Sequence, residues 1–198
     1  MTLDALRRAL SGRPFSRLDV AALEPAYSQS VGRLAEAAVL VPVFERGGEP
    51  HLLMIRRRDD LRLHPGQIAF PGGRVEPTDP DARSAALREA EEEIALSPRD
   101  VELVGRLGEA LVVTSGYRLT PWVGVVPYPY PYVAQPDEVA GLVEFPVASL
   151  LAPGVHEIGT REAFGMVHEV HTYDVGGNVI WGATARVLHE LLTTWRNA

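Results

Sequence analysis

With 198 residues, 46% of them hydrophobic and 23% charged, the chain is long enough to bury one substantial core and carries no low-complexity run. A net charge of −7 argues against nucleic-acid binding, zero cysteines exclude disulfides and thiolate metal sites, and neither a spanning apolar run nor an apolar leader core is present. The expectation is a cytoplasmic protein acting on a small molecule, with no nucleic-acid or membrane partner.

Taken in order, residues 1–36 carry helical spacing in Leu3, Leu6 and Leu10 and again in Val20 and Leu23, broken by Gly12-Arg13-Pro14. They predict a helical extension packed on a core domain of residues 37–198. Two apolar runs, Ala37 to Phe44 and His51 to Arg56, flank a polar, glycine-containing turn and predict a hairpin. Arg56, Arg57, Arg58 and Arg62 follow, interleaved with Asp59 and Asp60. Their composition fits internal ion pairs and anion binding equally well.

The stretch from Phe70 to Leu96 has the densest chemistry. Phe70-Pro71-Gly72-Gly73 predicts a tight turn with close backbone approach, and Asp79-Pro80 an N-cap followed by proline at the first helical position. Between Glu76 and Glu93 seven acids face two bases, and four of the acids crowd into positions 89–93. At about 100° per residue, Glu89, Glu92 and Glu93 share one helix face, Glu91 points away, and Leu87, Ala90 and Ile94 form the apolar stripe. Like charges three and four apart repel, so three on one face read as oxygen ligands for Mg²⁺ or Mn²⁺.

Val101 to Leu107 and Trp122 to Val126 predict strands, joined by a loop over residues 108–121 placed to line a pocket. Leu142 to Leu150 continues the apolar pattern, and His156 to Val175 predicts two strands. His168 and His171 are spaced as a ligand pair, but with no third nitrogen or sulfur ligand nearby they read as strand-surface histidines. A closing helix extends to about Trp195. No phosphate loop or nucleophile turn competes with the acidic helix.

Gly73 together with Arg88-Glu89-Ala90-Glu91-Glu92-Glu93-Ile94-Ala95-Leu96 resembles the Nudix box. The interval from Gly73 to Arg88 is one residue longer than usual, which puts Asp79 where the first box glutamate is expected. Ala95 replaces the final glycine; a left-handed alanine costs about 1 kcal/mol relative to glycine, so a different helix end is expected. Leu53-Met54-Ile55-Arg56-Arg57, Arg62, Gly66 and Phe70-Pro71-Gly72-Gly73 are similar to the coenzyme A pyrophosphatase branch of that family, with Arg58 departing from a usually small residue. The longer interval and Trp181-Gly182-Ala183-Thr184-Ala185-Arg186 are also similar to that branch.

The resemblance implies an α/β fold, a mixed β-sheet between helices in an α/β/α sandwich. It implies hydrolysis of coenzyme A or its thioesters to 3′-phospho-AMP and 4′-phosphopantetheine, with another nucleoside diphosphate derivative such as ADP-ribose, or a non-catalytic binding module, as alternatives. Glu89 and Glu93 are then the main metal ligands, Glu92 and the Gly73 carbonyl complete or share the site, and Arg88 orients a box carboxylate. Glu138, ahead of Glu144, is the candidate further carboxylate. At least one of the four arginines is expected to grip the 3′-phosphate.

Overall fold

A computed structural model describes residues 1–13, 34–112, 115–163 and 166–198. The predicted hairpin is formed by β1 (Ala35–Arg46) and β2 (Glu49–Arg57), both longer than their apolar runs. Gly47 and Gly48 close it with φ of 62° and 82°, a turn whose twist matches that of the flanking strands.

β1 is buried over eight consecutive residues because both faces of the sheet are covered there. It runs parallel to β7 (Tyr117–Val125) and antiparallel to β2, which makes the sheet mixed. Away from the turn, β1 and β2 part company. The early residues of β1 pair with β4 (Gly72–Arg74), while the end of β2 pairs with β3 (Ile68–Ala69). Residues 68–74 thus fill a cleft between two splayed strands, and Leu40 N–H donates to the Pro71 carbonyl at 2.9 Å to hold them there. β5 (Glu102–Arg106) and β6 (Ala110–Val112) both pair with β7, and β8 (Val139–Pro146) pairs with β2.

Strand alternation sorts the core into two layers. Ala38, Leu40, Phe44, Leu53 and Ile55 face α2 (Ala82–Ile94). Val39, Val41, Val43, Leu52 and Met54 face the other way, into the layer built with α1 (Leu3–Leu10), α3 (Val147–Leu150) and α4 (Gly182–Arg196). The expected α/β sandwich is therefore present. A second antiparallel sheet of β9 (His156–Ala163), β10 (Met166–Val175) and β11 (Asn178–Trp181) joins the α4 side, where Tyr173 and Ile180 enter the core.

Two details differ from the sequence reading. The segment 108–121 is not a simple loop, since it contributes β6 and the first half of β7. β11 precedes the closing helix, and its four residues are too few to carry a periodic signal. In the N-terminal extension, α1 buries Leu6 and Leu10, and Arg7 grips Glu102 with two bonds of 2.9 and 2.7 Å. Residues 14–33, including Val20 and Leu23, lie outside the described residues. No helix among those described is long and apolar enough to cross a membrane.

Candidate functional site

The cap of α2 is Asp81, not Asp79: its carboxylate accepts from Ser84 N–H at 2.8 Å, and these bonds hold it below the usual carboxylate range. Asp79 is engaged elsewhere. It accepts from Glu76 N–H at 2.8 Å and takes Nε and a terminal nitrogen of Arg88 at 3.0 Å each, a bidentate grip that lowers its pKa. The remaining Arg88 donors reach Glu89 at 3.0 Å, Glu92 at 2.9 Å and the Arg74 carbonyl at 3.1 Å. One guanidinium thus ties the start of the box, two carboxylates of the helix and the glycine strand together.

The three carboxylates on the shared face are graded in depth. Glu92 is exposed, Glu89 is half-buried, and Glu93 is only 3% exposed. Glu93 accepts from Gly72 N–H at 2.9 Å and has an Arg57 nitrogen 3.8 Å away. Burial still dominates and, with Glu89 and Glu138 adding repulsion, pushes its carboxyl up to about 8. Glu89 is likewise raised by burial, against the pull of Arg88. Such carboxylates stay ionised most readily beside a cation.

The glycines are required by close approach. A β-carbon on Gly73 would sit 2.5 Å from the Glu89 carboxyl, and one on Gly72, where φ is 155°, would sit 2.3 Å from the Ala38 carbonyl oxygen. The glycine strand therefore lies directly against the carboxylates. At the other end of α2, Ala95 does adopt the left-handed conformation, with φ 55° and ψ 30°. Fully buried Ile94 and Leu96 on either side, and bonds from Ala95 N–H to the Glu91 carbonyl and Leu96 N–H to that of Ala90, offset the cost.

Glu138 lies exposed before β8, close enough to Glu89 and Glu93 to raise both. Glu144 is paired with Arg46 at 3.1 Å on β8 and is not part of this group. The four arginines do not converge. Arg57 points to the α2 side, with its Nε buried and unbonded among the described residues. Arg56, its neighbour on a strand, points to the opposite face and donates to Asn178 at 2.7 Å. Arg58 holds Asp60 and the Pro136 carbonyl, and Arg62 is exposed in the bend before β3. His171 also departs from expectation: it is 6% exposed rather than on a strand surface.

A model of the NUDIX domain matches residues 34–164. The chain belongs to the Nudix family. This Nudix chain is 43% identical over 169 residues to the Nudix hydrolase NudL of Cronobacter sakazakii, covering 85% of this chain and 87% of that one. NudL of Escherichia coli is 41% identical over the same length and shares of the two chains. The names of these relatives specify no substrate. Among solved structures, a MutT/nudix family protein from Enterococcus faecalis has a TM-score of 0.60 at 14% identity, over 91% of this chain and 70% of that one. A MutT protein from Methanosarcina mazei has a TM-score of 0.53 at 14% identity, over 83% and 94%. The fold is the Nudix fold, and the protein is a Nudix hydrolase.

Proposed function

We propose that this Nudix hydrolase cleaves the pyrophosphate of coenzyme A or its thioesters, giving 3′-phospho-AMP and (acyl-)4′-phosphopantetheine. The observation that carries the hydrolytic half is Glu93, a buried carboxyl against Gly72 with Glu89 and Glu138 in its field and Arg57 only at 3.8 Å. A divalent cation fits this set. The donors are hard oxygens, and the missing side chain of Gly73 leaves space beside the Glu89 carboxyl.

Glu89 and Glu93 would hold Mg²⁺ or Mn²⁺, with Glu92 and the Gly73 carbonyl completing or sharing the site. When bound, the ion supplies neutralisation of pyrophosphate oxygens and acidification of a water. Arg88, bonded to Asp79, Glu89 and Glu92, fixes the carboxylates and leaves the substrate to other groups. Glu92 is engaged by Arg88, so exposed Glu138 is the better placed of the two to take a proton from the attacking water.

The coenzyme A half rests on the pattern from Leu53 to Gly73, the lengthened box and the Trp181–Arg186 run. Arg57 on the α2 side, with Arg58 and Arg62 beyond the end of β2, forms the candidate grip for the 3′-phosphate. A cytoplasmic location follows the same reading. The test is a panel of coenzyme A, dephospho-coenzyme A, ADP-ribose, NADH and nucleoside triphosphates with Mg²⁺. Coenzyme A is expected to have the highest kcat/KM; a preference for ADP-ribose overturns the substrate assignment.

A further inference from the structure

On the opposite side of the main sheet from Glu93, three histidines from separate elements meet. His156 opens β9, His171 lies on β10 and His189 on α4, and one ligand nitrogen from each falls within 4.8 Å of the other two. His156 Nε2 and His171 Nδ1 share a hydrogen bond of 3.0 Å, and His189 stacks on both rings with centroids 4.8 and 4.4 Å away. The sequence spacing that invited a ligand pair is not the one used. His168 and His171 are an odd number of residues apart on a strand and so face opposite ways, whereas His171 and Tyr173 share a face and Tyr173 pairs across with His156.

We propose that His156, His171 and His189 form a second metal site, selective for a transition ion of the Zn²⁺ class and separate from the carboxylate site. Three imidazoles suit Zn²⁺, Co²⁺, Ni²⁺ or Cu²⁺, while Mg²⁺ and Mn²⁺ prefer the oxygens of the box. A tetrahedral Zn²⁺ with nitrogens at 2.0–2.1 Å places its ligands about 3.3 Å from one another, so ring rotations and small shifts bring the present cluster to ligating geometry. A supporting shell is also in place. Tyr173 Oη lies 3.3 Å from His189 Nδ1, the arrangement that orients a ligating ring and leaves Nε2 for the ion.

The site also has an entry path and room for a fourth ligand. His171 and His189 line a cleft of about 380 Å³ together with Arg13, Glu109, Arg186 and Glu190. Two acids and two arginines leave its walls close to neutral, and the Arg13–Glu190 pair at 2.9 Å already takes one of each. Burial holds His156 and His171 below the usual imidazole range, with His189 adding to it, which favours the neutral ring that ligates. A three-histidine centre with its fourth position toward the cleft clamps the small sheet to α4.

The test is titration of the full chain with Co²⁺ in excess Mg²⁺, which occupies the box, followed by visible absorption and by metal analysis after Zn²⁺ exchange. One equivalent of Co²⁺ with intense tetrahedral bands is expected. His189→Gln and His156→Gln should each abolish the bands while leaving Mg²⁺-dependent hydrolysis unchanged, which also reports that the variants fold. Tyr173→Phe should weaken binding about 10- to 100-fold, and Glu93→Gln should leave it intact. Should the histidine variants fail to fold, imidazole nitrogen NMR of the wild type with Zn²⁺ decides, since only ligating rings shift. No uptake in excess Mg²⁺, uptake unchanged in both histidine variants, or unshifted imidazole resonances would overturn the proposal.

Discussion

The box helix and the arginine-bearing end of β2 both hold like charges at close spacing, yet only the helix brings them together. Positions 89, 92 and 93 share a face because three and four residues are about one helical turn. Positions 56 and 57 diverge because neighbours on a strand point to opposite sides of the sheet: Arg57 approaches Glu93, and Arg56 reaches Asn178. Convergence of charge is thus a property of the element that carries it. A run of identical residues in sequence says little until the element is known.

The largest effect that sharpens this contrast is expected from Glu93→Gln, which keeps an acceptor for Gly72 N–H and removes the buried charge. Loss of kcat by about 10²- to 10³-fold or more is expected in Mg²⁺. Metal-free thermal melts across pH supply the second half. Because the folded carboxyl is raised from 4.5 to about 8, its contribution to stability is full below the lower value and lost as pH rises through the higher one. The variant lacks that loss and should be more stable than wild type above pH 8, by on the order of a few kcal/mol. Identical pH profiles would break the comparison at its strongest point.

Arg88→Lys comes next. A lysine cannot bracket Asp79 and still reach Glu89 and Glu92. A fall in kcat of about 10- to 100-fold is expected, as for loss of a residue that orients ligands, with Mg²⁺ affinity reduced in calorimetry. Unchanged affinity would mean that the carboxylates hold themselves in place.

On the strand side, alanine at Arg57, Arg58 and Arg62 should slow coenzyme A at one position by about 10- to 150-fold in kcat/KM, leaving dephospho-coenzyme A nearly unchanged. Arg56→Ala should affect both substrates alike, because Arg56 faces the other layer. Equal slowing of both substrates by all four variants would make the arginines structural or assign them to the pyrophosphate. The smallest effect is Ala95→Gly, expected to stabilise by about 1 kcal/mol in denaturant melts, with kcat untouched.

Much of the site was legible because it is local. Glycine turn, cap and acidic helix lie within residues 70–96, where spacing alone sets which carboxylates share a face. The cap was misplaced by two residues because Asp79-Pro80 carries a start signal as good as that of Asp81, and only the tertiary contact with Arg88 decides between them. The left-handed Ala95 was hidden for the same reason: propensity disfavours it, and burial of Ile94 and Leu96 overrides propensity. The graded burial of Glu89, Glu92 and Glu93 depends on the glycine strand filling the gap between β1 and β2, a pairing without local signature. The histidine cluster was invisible because its members stand at positions 156, 171 and 189 and meet only when β9, β10 and α4 pack.

The central claim, attack of water on a phosphorus of coenzyme A at the carboxylate site, is tested most directly by hydrolysis in ¹⁸O-water with Mg²⁺ and mass analysis of both products. Label is expected on the phosphate of 3′-phospho-AMP or of 4′-phosphopantetheine, and Glu93→Gln should slow its appearance in step with kcat. Release of free thiol from acetyl-coenzyme A with the pyrophosphate intact, or phosphate products without label, would contradict the account.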